Sequence, residues 1–234
     1  MGSAVAWPTF DVVEIAQEAS DRAGIDFRSG YSLRSARRSL ELLSIEWANR
    51  GLNLWTIEGP IAINLQPGVY QYGLPEDTVD LIEHAVRTWP GALGVGTPND
   101  LPIDRMTISE YAAIPNKYAS GRPNIINIRR QIKPYFLVWM VPDLTPVCQL
   151  VTWRLRRMKS VGIGGEGVPE IPWRFIPAMI AGLAYYLALK STDPNVVQRA
   201  DALKAAYEEQ FQLASDEDRD RATFRFVPGG YERL

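Results

Sequence analysis

The chain has 234 residues, 25 Lys and Arg against 27 Asp and Glu, a formal charge of −2 and a 46% hydrophobic composition. Those values fit an ordinary soluble globular protein with one sizeable core, or a core and a smaller second domain. Cys148 is the only cysteine and His84 the only histidine, which excludes an internal disulfide and a zinc site built from four Cys and His ligands.

Met1 to Pro8 lacks a charged segment followed by an apolar one, so no secretory signal is expected. Thr9 is placed to cap a helix running to about Ala23, with Val12, Val13, Ala16 and Ala19 on one face and Gly24 closing it. Ser32 is placed to cap a second helix, in which Leu33, Ala36, Leu40, Leu43 and Trp47 recur at spacings of three and four up to Gly51. From Leu54 the period changes to two. Ile61, Ile63 and Leu65 alternate with small or polar residues, Gln66-Pro67-Gly68 turns, and Val69 to Tyr72 reads as the return strand. Val79 to Thr88 is a further strand. Trp89 to Pro123 is rich in Pro and Gly and predicts a long surface excursion with one short helix, Ser109 to Ile114.

Three more strands are expected at Ile125 to Arg130, Tyr135 to Met140 and Val147 to Met158, and a Gly-rich link, Gly162 to Gly167, leads back to helix. Pro172 suits the first turn of a helix carrying Phe175, Met179, Leu183 and Leu187. Its apolar stretch from Phe175 to Leu189 is interrupted by Pro177 and falls short of the roughly 20 residues of a membrane span, so it is expected to be a core helix. Asp193 caps the next helix, with Pro194 first and Val197, Leu203, Tyr207 and Phe211 inside. After Asp220 the run Thr223-Phe224-Arg225-Phe226-Val227-Pro228 is extended and aromatic. The fold class is α+β: N- and C-terminal helices pack together to bury their apolar stripes around a central, antiparallel, sandwich- or barrel-like insertion.

Charge is unevenly distributed. Residues 122–159 carry eight basic side chains against Asp143 alone, and residues 193–220 carry eight acidic ones against Arg199, Lys204 and Arg219. Either both faces simply meet water, or the basic face of one copy meets the acidic face of the next and closes a ring. Arg34, Arg37 and Arg38 share one side of the second helix and are candidate partners for acidic groups. Arg154 and Arg156 alternate on a strand with Arg157 and Lys159 beyond. That cluster offers only weak, salt-sensitive contact to phosphates, as a DNA-packaging accessory would.

Other constellations point to chemistry less directly. Gly162-Ile163-Gly164-Gly165-Glu166-Gly167 has the spacing of a phosphate-binding loop, yet Pro169 and Pro172 delay the helix that such a loop needs. A flexible hairpin or link is expected there. His84 lies near Asp80 and Glu83 without a nucleophile motif, and Cys148 sits in an apolar run that predicts a small buried thiol. Glu76, Asp77, Asp80 and Glu83 could furnish a carboxylate pair, which makes a cell-wall hydrolase the alternative reading.

The segment LELLSIEWANRGLNLWTIE, Leu40 to Glu58, joins an amphipathic helix ending in Trp47 and Gly51 to a strand opened by Trp55. It resembles the opening of head-to-tail adaptor proteins of short-tailed bacteriophages, the family of tail accessory factors and tail tubular A-type proteins. Lys117 through Gly121-Arg122-Pro123, Val138 to Leu144, and Pro172-Trp173-Arg174-Phe175 leading into Gly182 to Ala188 follow in the family's order. The expected division is residues 1–53 with 172–220 as a helical domain, 54–171 as a β-rich insertion and 221–234 as an extended tail. The resemblance implies a structural virion protein made in the host cytoplasm and placed in the neck. There a ring of twelve subunits would sit beneath the portal, extend and seal the DNA channel, and receive the tail nozzle or tube. It implies no catalytic residue, cofactor, metal or membrane anchor, and passage of double-stranded DNA without sequence-specific binding. Phe224, Arg225, Phe226 and Tyr231 become candidates for gripping the portal, and Arg34, Arg37 and Arg38 for the contact between subunits.

Overall fold

The computed structural model describes residues 10–27, 30–51, 54–89, 95–143, 147–159 and 169–218. The chain divides into two compact units, residues 1–46 with 160–234, and residues 47–159. The first is helical and the second is mostly strand, so the fold is α+β as the change of hydrophobic period indicates.

In the helical unit, α1 (Val12–Ala23) begins at Asp11. Glu14 N–H donates to Asp11 Oδ1 at 2.7 Å and Asp11 N–H donates to Glu14 Oε2 at 3.0 Å, a reciprocal capping box. The cap is therefore Asp11 and not Thr9, because only the Asp-x-x-Glu pair satisfies two orphan donors at once; Thr9 lies outside the described residues. Gly24 closes the helix at φ 74°, with Ile25 N–H donating to Ser20 O at 2.9 Å. Helix α2 (Gly30–Arg50) starts two residues before Ser32, so Ser32 lies in the first turn, where free N–H groups tolerate it, and does not cap.

A 3₁₀ turn, Trp173–Phe175, leads into α4 (Ile176–Ala188), with Pro177 in the first turn where no intrahelical donor is required. Its residues Ala178 through Ala184 are all buried, as suits a helix surrounded by others. Helices α1 and α6 (Ala200–Glu217) both pack on it. At Gly182 a Cβ would stand 3.0 Å from Leu43 of α2 and 3.0 Å from Tyr207 of α6, so glycine lets three helices converge. Asp193 caps as expected, accepting from Asn195 N–H at 2.9 Å. The helix it starts, α5 (Pro194–Gln198), is short, however, and Arg199 separates it from α6.

The β unit contains β1 (Ile57–Leu65), β2 (Gln71–Gly73), β3 (Thr78–Thr88), β4 (Asn99–Pro102), β5 (Asp104–Arg105), α3 (Ile108–Ala113), β6 (Ile125–Arg129), β7 (Tyr135–Trp139) and β8 (Cys148–Arg156). Two four-stranded sheets, ordered β1-β8-β3-β4 and β2-β7-β6-β5, face each other. Leu65, Leu81, Val86, Cys148 and Leu150 of the first and Ile126, Ile128, Phe136 and Val138 of the second form one buried cluster between them. The insertion is thus a sandwich, antiparallel except for the β5–β6 pair.

The expected hairpin across Gln66 to Tyr72 does not form. β1 pairs with β8 through seven residue pairs and β2 joins β7 in the other sheet. The long apolar strand β8 is the better partner, and the Tyr72 hydroxyl fixes the crossing by donating to Val69 O at 2.9 Å and accepting from Gln66 N–H at 2.8 Å. The expected surface excursion from Trp89 to Pro123 likewise holds more structure than its composition suggests. β4 extends the β3 edge, where Arg87 grips Asp100 through two bonds of 2.7 and 2.8 Å. The ladders of the first sheet slip register between Glu58 and Ile61, between Thr78 and Asp80 and between Ile82 and His84. Gly59, at φ 146° and with a Cβ position 3.0 Å from Trp153, precedes Pro60 where the β1–β8 register slips. Glu83, at φ 48°, is the extra residue between Ile82 and His84.

Candidate interaction surfaces

Strand alternation directs Arg154 and Arg156 of β8 to the same side as Cys148 and Leu150, beyond the end of the apolar core. Both are buried, at 9% and 8% exposure. Arg154 donates to Glu58 Oε2 at 2.6 Å, to Asp77 Oδ1 at 2.5 Å and to Thr78 Oγ1 at 3.2 Å, and Arg156 Nε lies 2.7 Å from Glu58 Oε1. The hydrogen bond from Arg154, with the charges of Arg154 and Arg156, holds the Glu58 carboxyl below the usual carboxylate range against the opposing effect of burial. Burial works against the Arg154 charge, and its bonds to Glu58 and Asp77 outweigh it, raising its pKa. The weak phosphate contact considered for Arg154, Arg156, Arg157 and Lys159 is therefore corrected for the first two, which are internal ion-pair partners, while Arg157 and Lys159 are exposed.

The carboxylates considered for a hydrolase are distributed differently. Asp77 belongs to the Arg154 cluster, and Asp80 lies 3.0 Å from Arg105 and 3.6 Å from Arg130. Glu76 and Glu83 are exposed. His84 is half-buried, its Nε2 has no hydrogen-bond partner, and burial followed by the Arg105 charge pushes its pKa below the ordinary value. Cys148 is buried in the sandwich, and that burial pushes its thiol up. Among the described residues no group of three His, Cys, Asp or Glu is placed to hold a metal ion, and no helix is long and apolar enough to cross a membrane. The Gly162 to Gly167 segment and the proposed portal contacts Phe224, Arg225, Phe226 and Tyr231 lie outside the described residues.

In the helical unit the functional candidates sit on outward faces. Arg34 and Arg38 are exposed on α2, and Arg37 at its flank is half-buried with Nε lacking a hydrogen-bond partner. The stripe continues through Leu42 and Ile45, large apolar residues that are 53% and 57% exposed. The sequence pattern singled out the arginines and missed the two apolar side chains that complete the stripe. Their signal was present, since positions 34, 38, 42 and 45 follow helical spacing on the side opposite Ala36, Leu40, Leu43 and Trp47.

Behind that face the α2 frame is held by polar contacts that the sequence reading also missed. Glu46 accepts from the hydroxyls of Tyr186 at 2.8 Å and Tyr207 at 3.0 Å. Lys190 donates to Ser39 Oγ at 2.6 Å and to Ser35 O at 3.3 Å, and burial, with the nearby Arg38 charge, lowers its pKa. Arg174 pairs with the buried Asp218. Nothing in this frame forms a catalytic constellation, and the exposed stripe is suited to contact with another protein.

The profile of a family described as SU10 adaptor protein matches residues 11–229. The chain belongs to that family. No curated protein matches the chain. The match runs through both units, from the Asp11 cap of α1 through the sandwich to α6 and beyond. Membership in the SU10 adaptor family makes the chain a phage adaptor, a structural component of the virion that works by contact with other virion proteins.

Proposed function

We propose that this SU10 adaptor forms a ring beneath the portal of a short-tailed phage, in the manner of tail accessory factors and tail tubular A-type proteins. The ring, matched to the portal at twelve copies, extends and seals the DNA channel and receives the tail nozzle or tube, so that the genome leaves through its lumen. The observation that carries this reading is the family match over residues 11–229. The burial and pairing of Arg154 and Arg156 with Glu58 and Asp77 also suit a conduit, because each neutralised arginine is one fewer phosphate contact to slow a moving duplex. A modest contact repeated around a ring gains strength by multivalency, and a portal already arranged as a ring would template it.

In this reading the helical unit carries the contacts between copies, with Arg34, Arg37 and Arg38 among them, and Phe224, Arg225, Phe226 and Tyr231 grip the portal. Aromatic rings in such a segment would contribute apolar area at roughly 25 cal/mol per Å² against the cost of ordering it. Electron microscopy of mature phage carrying a labelled chain tests the placement. An annulus of label between capsid vertex and tail is expected, and label elsewhere in the virion contradicts it. Deletion of residues 222–234 tests the grip: portal binding is expected to fall, and unchanged binding removes those residues from the interface.

A further inference from the structure

The basic run over residues 122–159 and the acidic run over residues 193–220 each gather around one exposed apolar side chain. Arg154 and Arg156 are paired with Glu58 and Asp77, whereas the half-buried Arg129 and the exposed Arg130 and Lys133 cluster at the turn joining β6 to β7. In that turn stands Ile132. At 89% exposure it is the most open large apolar side chain among the described residues. Its mount is held at both sides: Gln131 N–H donates to Arg129 O at 3.0 Å, and the carbonyl of the buried Pro134 accepts from Leu74 N–H at 2.9 Å. Asp80 lies 3.6 Å from Arg130 but is also 3.0 Å from Arg105, so it does not neutralise the turn.

The outer side of α6 is the counterpart. Residues 205–217 contain Glu208, Glu209, Asp216 and Glu217 and no Lys or Arg, and all four carboxylates are exposed, Asp216 accepting from Gln212 at 2.9 Å. Leu213 stands among them at 59% exposure. Glu209 is one turn before it and Glu217 one turn after, each roughly 6 Å along the axis, and the exposed Ala205 and Ala206 add no bulk. The other acidic helix, α1, fits less well. Three of its four carboxylates are engaged, Asp11 and Glu14 in the capping box and Glu18 with Arg22, and Phe10 and Val13 are only 37% and 36% exposed. Cations flank Ile132 on both sides as carboxylates flank Leu213 on both sides, so the match holds whichever way the turn lies across α6.

We infer that the β6–β7 turn of one SU10 adaptor copy seats on α6 of the next, with Ile132 against Leu213 and the flanking cations among the carboxylates. The inference rests on the ring reading and specifies a contact within it. Because the two patches differ, the contact is heterologous, and repetition closes a ring when the rotation allows. The apolar pair supplies burial, and the opposite charges around it select this partner surface and speed encounter.

A chain carrying both Ile132→Cys and Leu213→Cys, assembled with the portal protein and treated with a short bifunctional thiol reagent, tests the contact. The native thiol of Cys148 is buried in the sandwich and is a poor competitor. A covalent ladder of adaptor multimers is expected, because each copy gives one link and receives one, and neither single variant should produce it. Linkage that stops at dimers would show a reciprocal pair, linkage within one chain an internal contact, and no linkage in particles of wild-type mass no contact; each overturns the inference. Should the cysteine variant fail to assemble, charge exchange decides. Lys133→Glu and Glu209→Lys are each expected to lower the yield of particles about tenfold with circular dichroism unchanged, since a small loss recurs at every contact around the ring. The chain carrying both recovers the yield, and failure to recover overturns the contact. If the wild-type chain forms no multi-copy particle with the portal, the ring reading itself has failed, an outcome distinct from a missing cross-link.

Discussion

Glu58 shows how a half-buried carboxylate and a buried guanidinium depend on each other. Arg154 and Arg156 lose water on folding, and Glu58 is the acidic group that touches both. Its pKa is lowered from an ordinary 4.5, so the stabilisation it provides is fully present above the unfolded value and is lost as pH falls through the folded one. Glu58→Gln is expected to melt below wild type at neutral pH and to converge with it in acid, as thermal scans from pH 7 to pH 3 would show. His84 acts in the same direction at higher pH. Its pKa lies below an ordinary 6.5, so its neutral form favours the fold above that value and the benefit disappears as pH falls through the depressed one. In His84→Gln the loss of melting temperature that begins below pH 6.5 is expected to be smaller than in wild type; an identical profile would remove His84 from the acid response.

Among the elements, the convergence at Gly182 is the tightest test of packing. An alanine there places a methyl 3.0 Å from both Leu43 and Tyr207, and overpacking of this kind costs about 1–3 kcal/mol. Gly182→Ala should lower the denaturation midpoint accordingly, and an unchanged midpoint would mean that the helices relax apart freely. At the other end of the unit, Asp11→Ala removes the α1 capping box and is expected to cost about 1 kcal/mol, measured the same way. Much of this element structure was legible in the sequence. The three-and-four spacing of Ala36, Leu40, Leu43 and Trp47, the alternation of Ile61, Ile63 and Leu65, and the Asp193-Pro194 helix start all report local periodicity or capping, which a short window contains. The partner of β1 was not legible, because strand pairing with β8 joins residues more than eighty positions apart and the nearer turn at Pro67-Gly68 imitates a hairpin. The burial of Arg154 and Arg156 was hidden for the same reason: their neutralising carboxylates come from β1 and the turn before β3. Leu42 and Ile45 had a visible period, but an exposed apolar stripe reads as core until the opposite face is known to be filled.

For the whole molecule, the sequence features that resembled a head-to-tail adaptor lie in both the helices and the sandwich, and the SU10 adaptor family match covers residues 11–229. A protein of this kind acts through surfaces, which is consistent with arginines and carboxylates of the sandwich satisfying each other while the outer stripes of α1 and α2 keep charged and apolar groups exposed. The central claim is that many copies of this chain join one portal as a closed ring. The direct measurement is the mass, by native mass spectrometry, of the particle formed when the purified chain is mixed with its portal. The expected result is a single species holding a fixed set of adaptor chains equal in number to the portal subunits, and a heterogeneous ladder or a portal without bound chain would contradict it.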